Sequence, residues 1–152
     1  LAEAERLCKR IHEEFGYHGA LVGFYSRQRD KMDADGVAYA QKLDALQEYY
    51  FPEGMRQVHL QDFREPPRAG VIFASMNGFV SALGFKQGDV IVAIEGIQVD
   101  TLQQYDYVRE LDGTNPHMTL ITWNGNEYVE TDTYFENRLF LLNLEDYKPQ
   151  AR

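Results

Sequence analysis

Apolar positions recur at helical spacing through the first fifty residues and fall into short runs beyond. Leu1, Ala4, Leu7, Cys8, Ile11 and Phe15 lie three or four apart, with charges between them. That spacing predicts an amphipathic helix over 1–15, stopped by Gly16. A second helix is expected from His18 to Met32, with Ala20, Leu21, Phe24 and Tyr25 on its apolar side and Asp33-Ala34-Asp35-Gly36 breaking it. A third is expected from Val37 to Tyr50, carrying Ala38, Leu43, Leu46 and Tyr50. Pro52 and Gly54 oppose its continuation.

From residue 55 the period changes. Val58, Leu60 and Phe63 alternate with polar residues and predict a strand. Val71–Ala74 reads as a short strand, Gly78–Leu83 as a helical turn ended by Gly84, and Asp89–Ile94 as a buried strand. Asp100 is expected to cap a helix over 101–111. Met118–Trp123 alternates as a strand, Asn124-Gly125 is a hairpin signal, and Glu127–Thr133 is the returning strand. Asn137–Leu144 adds one more, and Lys148 onward is expected to fray.

Of the 152 residues, 44% are hydrophobic and 13% aromatic, enough for a core. The net charge is −9. Residues 1–68 carry 10 basic and 12 acidic side chains, or −2, and residues 69–152 carry 5 and 12, or −7. An acidic C-terminal half disfavours nucleic acid and anionic membranes. No apolar run reaches the length of a membrane helix, so no membrane insertion is expected. Cys8 is the only cysteine, which excludes an internal disulfide and marks no compartment, cytoplasmic or periplasmic. Flanked by Leu7, Lys9 and Arg10, it is read as a partly buried structural residue. The chain does not begin with Met and is read as a piece of a longer protein with other domains.

Residues 84–99 read Gly84-Phe85-Lys86-Gln87-Gly88-Asp89-Val90-Ile91-Val92-Ala93-Ile94-Glu95-Gly96-Ile97-Gln98-Val99. This run resembles the core of a PDZ domain of the bacterial, permuted kind found in periplasmic serine proteases and tail-specific proteases. The resemblance covers about residues 51–133. It implies a small, partly open β-barrel or sandwich with two helices, in which the last strand supplies an edge that other PDZ domains build from their N-terminus. The preceding helices resemble a fragment of a tetratricopeptide-like array; a plain helical cap fits them equally.

The resemblance also implies a groove between a sheet-edge strand and the long helix. An extended segment or C-terminus adds there as a strand, its carboxylate held by backbone N–H groups. Carried over, the edge is Gln57–Asp62, with Val58 and Leu60, the nest is Phe51–Met55, with Gly54 and Met55, and Arg56 beside it adds a charge. Gln104, Val108 and Leu111 form the helix stripe. Gln104 stands where many PDZ domains place a His, and Glu53 brings an anion to the carboxylate nest.

No catalytic pattern competes. Ser26, Ser75 and Ser81 are the only serines, and none sits in a nucleophile loop. His59 and Asp62 lack the spacing of a triad. His12, His18, His59 and His117 form no metal motif, and Asp30, Asp33 and Asp35 lack the Gly and Glu of a calcium loop. Tyr49-Tyr50-Phe51 reads as aromatic glue between the two halves, with no flexible linker.

The expectation is therefore an α+β chain: a helical segment over 1–50 packed on a PDZ-like domain over 51–147. It is expected to be a non-catalytic module, without cofactor, that binds a peptide or protein segment as a bacterial scaffold. Two alternatives are the regulatory part of a larger protease and a structural assembly module with an unoccupied groove.

Overall fold

The computed structural model describes residues 2–15, 25, 34–75, 81, 83–111, 117–134 and 143–149. The chain is α+β, with a few helices and an open six-stranded antiparallel sheet among those residues. It divides into two compact units, 1–54 with 106–114, and 55–105 with 115–152. The expected helix His18–Met32 lies outside the described residues apart from helical Tyr25, as do residues 76–80 and 135–142 and the side chains of Cys8 and His12.

In the first unit, α1 spans Ala2–Phe15 and α2 spans Ala34–Tyr50. The helix expected from Val37 begins three residues earlier, at Ala34. Lys42 of α2 ties to Glu5 of α1 at 2.6 Å. The Glu5 carboxyl is held below its usual range and the Lys42 ammonium above its own, each first by this hydrogen bond. Lys42 also lies 5.5 Å from the ring of Tyr25 and 5.9 Å from that of Tyr39.

The helix α3 spans Leu102–Leu111, and its residues from Asp106 on belong to this unit. Buried Tyr107 packs on Tyr50 and Phe51, with ring centroids 5.4 and 5.8 Å apart. Its hydroxyl donates to the carbonyl of Leu43 at 3.4 Å. Part of the aromatic run at 49–51 thus secures the end of α2 to the end of α3.

In the second unit, β1 is Val71–Ser75, β2 Val90–Ile94, β3 Ile97–Gln98, β4 His117–Trp123, β5 Tyr128–Tyr134 and β6 Asn143–Asp146. The sheet order is β5-β4-β2-β1-β6, with β3 also paired to β2. All five residues of β2 are buried, as its unbroken apolar run requires of a central strand. Alternation along β1 sends Val71 and Phe73 to one face and Ile72 to the other. On the Ile72 face, Val58, Leu60, Phe63, Trp123, Tyr128 and Tyr147 close over Val90, Val92 and Ile121.

Asp89 builds the turn ahead of β2. Its buried carboxylate accepts the Lys86 N–H at 2.9 Å. Glu95, at φ 52°, does more than occupy the next turn: it accepts the Thr119 N–H at 2.7 Å and so pins the β2–β3 turn to β4.

One expected strand does not form. Residues 56–58 make a single bridge, Gln57 to Ile97, and Leu60–Asp62 is a 3-10 turn. Val58, Leu60 and Phe63 all pack against one apolar cluster. A strand would send Val58 and Leu60 to one face and Phe63 to the other; the 3-10 turn brings all three to the same core.

Candidate functional site

The best-defined polar arrangement joins the start of α3 to its surroundings in the second unit. Thr101, not Asp100, is the cap: its hydroxyl accepts the Gln104 N–H at 3.2 Å. The Gln104 side chain reaches back to accept the Asp100 N–H at 2.8 Å. Two N-terminal donors are thereby satisfied in the manner of a capping box, one residue wider than usual. The Asp100 carboxylate lies 3.4 Å from the guanidinium of Arg56. Arg56, Asp100 and Gln104 are thus linked in sequence.

A further bond comes from the sheet edge. Asp146 of β6 accepts the N–H of Leu102, the first residue of α3, at 2.7 Å. An anion at a helix N-terminus is favoured by the orphan N–H groups and the dipole. The bond sets the edge strand beside the first turn of the long helix.

The backbone of β6 leaves part of its bonding capacity turned outward. Tyr147 donates to Gly70 at 2.9 Å. In an antiparallel ladder the bonded pairs alternate, so Asp146 and Leu144, opposite Val71 and Phe73, face away from β1. Among the described residues no other strand pairs with that side of β6.

The expected edge at 57–62 has far less to offer. Arg56 accepts from Gln98 at 3.0 Å and Val58 donates to Gly96 at 2.8 Å. Only Gln57 turns its backbone the other way before the 3-10 turn begins.

The other expected site residues separate. Gly54, at φ 88°, closes a turn by donating to Phe51 at 2.9 Å, and no neighbour crowds it. Glu53 beside it is exposed and Met55 half-buried. Val58 and Leu60 come together, but as packing on the sheet face. Val108 is 5% exposed and Leu111 half-buried. His59 and Asp62 meet through the 3-10 turn: the His59 N–H donates to the Asp62 carboxylate at 2.8 Å, and the Asp62 N–H donates to the His59 carbonyl at 3.0 Å.

A cavity of 620 Å³ opens between residues 62–69 and the sheet, lined among others by Arg64, Arg68, Val92, Gln98 and Tyr128. The Tyr128 hydroxyl donates to the Glu65 carbonyl at 2.6 Å and holds the arch in place. Among the described residues no cluster of three or more His, Cys, Asp or Glu is placed to hold a metal, and no helix is long and apolar enough to cross a membrane.

Sequence reasoning missed Asp146 and Leu144. Their strand was expected earlier, ending at Leu144, and a four-residue run of Asn143-Leu144-Glu145-Asp146 carries no alternation strong enough to announce an edge. No family model, curated protein or solved structure matches this chain.

Proposed function

We propose that this chain is a non-catalytic recognition module of the PDZ type, which captures an extended peptide or protein segment by strand addition. The observation that carries the reading is the bond from Leu102 to Asp146, which sets an outer strand of an open sheet beside the long helix. A groove of this kind needs that neighbourhood, because the added strand bonds to the edge while its side chains meet the helix.

The acceptor edge is then β6, through the outward backbone of Leu144 and Asp146, rather than Gln57–Asp62. Arg56 and Gln104 act at the mouth through Asp100. Gln104 reads no ligand side chain in this reading, because its carbonyl oxygen already serves the cap. The open end of the sheet and the order of elements from β1 to β5 support the resemblance that motivates it.

The test is a screen of the whole chain against a random library of C-terminal peptides, each repeated with an amidated end. Micromolar hits that vanish on amidation establish carboxylate capture. Hits indifferent to amidation establish internal strand addition. Silence in both arms overturns the proposal.

Two observations favour a second reading. Val108 is buried in the free chain, and Gln104 is engaged. A structural assembly module with a closed groove has these features, and it predicts that silence.

A further inference from the structure

The opposite edge of the sheet carries a second and longer acceptor. β5 pairs with β4 over seven residues without a register shift, from His117–Tyr134 to Trp123–Tyr128. Among the described residues no strand lies beyond it. The Asn124 N–H bonds to the Glu127 carbonyl at 3.1 Å and sets the alternation along the hairpin. Tyr128, Glu130, Asp132 and Tyr134 then turn their N–H and C=O groups outward. Phe63 packs on Tyr128 in a tilted ring pair, centroids 5.1 Å apart, and the Glu65 carbonyl accepts the Tyr128 hydroxyl, so the open run begins at Val129.

That run lacks most of the usual protection of an exposed edge. It has no Pro, no bulge and no Lys. Val129 and Tyr134 are 38% and 47% exposed and are two of the four large hydrophobic residues that stand open to solvent among those described. Only two carboxylates guard it. Glu130 and Asp132 are both exposed and sit two residues apart on one face. Asp132 accepts the Thr119 hydroxyl at 2.7 Å, which fixes its orientation.

The charges decide the occupant. A second copy pairing antiparallel with this strand, centred on Glu130, Thr131 or Asp132, always sets carboxylate opposite carboxylate. Like charges directly opposed on a sheet are destabilising. A strand with Lys or Arg at two alternating positions places opposite charges there instead, and flanking aromatic residues meet Tyr134 and Val129. We propose that the β5 edge, through Glu130 and Asp132, is a docking site for a basic, aromatic-flanked extended segment of another protein. This site is separate from the β6 edge and does not rest on the reading above.

The probe is a fluorescent hexapeptide Phe-Thr-Lys-Val-Arg-Phe, which in antiparallel register sets its end residues opposite Tyr134 and Val129 and its Lys and Arg opposite Asp132 and Glu130, acetylated and amidated so that no terminal carboxylate is available, with a counterpart carrying Glu for Lys and Arg. Anisotropy titration with the whole chain is expected to show the basic peptide binding at least tenfold tighter, and losing affinity with added salt. The double substitution Glu130→Lys with Asp132→Lys is expected to invert the preference. Glu130→Pro, which removes an outward N–H and leaves the β4 ladder intact, is expected to weaken binding at least tenfold, with circular dichroism confirming the fold. Equal binding of the two peptides, binding unchanged in both variants, or no binding of the basic peptide would each overturn the proposal. So would a wild-type dimer, seen by sedimentation, that Glu130→Pro dissolves.

Discussion

The carbonyl oxygen of the Gln104 side chain accepts the backbone N–H of Asp100 at 2.8 Å, four residues upstream. A residue placed by sequence in a ligand groove is thus committed to starting the helix. Gln104→Ala removes that acceptor and is expected to cost about 1 kcal/mol. Thr101→Ala, which loses the reciprocal bond, is expected to cost a similar amount, and the double variant less than the sum. Urea titrations of the three variants check this. A Gln104→Ala chain as stable as wild type would show that the cap contributes nothing.

Burial pushes the Asp106 carboxyl up to about 6; the nearby Arg109 draws it down, and Glu110 pushes it further up. Its side chain is 23% exposed and lies 3.7 Å from Arg109. Between pH 4 and 6 the folded chain therefore holds a proton that the unfolded chain has released. The stability contributed by protonated Asp106 is complete below pH 4 and is lost as pH rises through 6. Asp106→Asn cannot ionise, and is expected to be about 2 kcal/mol more stable than wild type at pH 7. The gain should vanish by pH 3.5. Denaturation at the two pH values measures it, and a gain independent of pH would refute this account.

Gly70 has φ 151°, and a Cβ there would lie 2.6 Å from the Ile91 carbonyl oxygen and 2.7 Å from Val90 Cγ1. Its own carbonyl accepts the N–H of Tyr147 at the end of β6. Gly70→Ala is therefore expected to destabilise by more than about 2 kcal/mol and to loosen β6 from β1. Gly125, at φ 93° with nothing within 4 Å, is the control. Gly125→Asn should cost less, about 1 kcal/mol, since the left-handed backbone strains it but no neighbouring atom crowds it. Thermal melts of both variants suffice, with amide exchange at Tyr147 reporting the β6 ladder.

Much of the fold was legible where local chemistry and burial agree. The unbroken apolar run of β2, the Asn124-Gly125 hairpin and the Gly88-Asp89 turn are each dictated by a few neighbouring residues. The α2 start was misplaced because Asp35 and Gly36 break helices in general. The candidate site was harder to read. Alternation at Val58, Leu60 and Phe63 suits a strand, but the same residues suit a 3-10 turn that turns all three toward one core.

The sequence by itself determined the α+β class, the central strand and its turns, and the acidic surface, because each depends on neighbouring residues or on composition. Only the tertiary structure decided which strands end as edges. That outcome depends on pairing between residues about seventy positions apart, such as Val71 with Asp146, and no local pattern encodes it. It also decided that Gln104 caps a helix and that Glu130 and Asp132 stand on a strand with no further strand beside it among the described residues. A side chain's role follows from what lies across from it, and that is fixed only when the sheet closes its ladders.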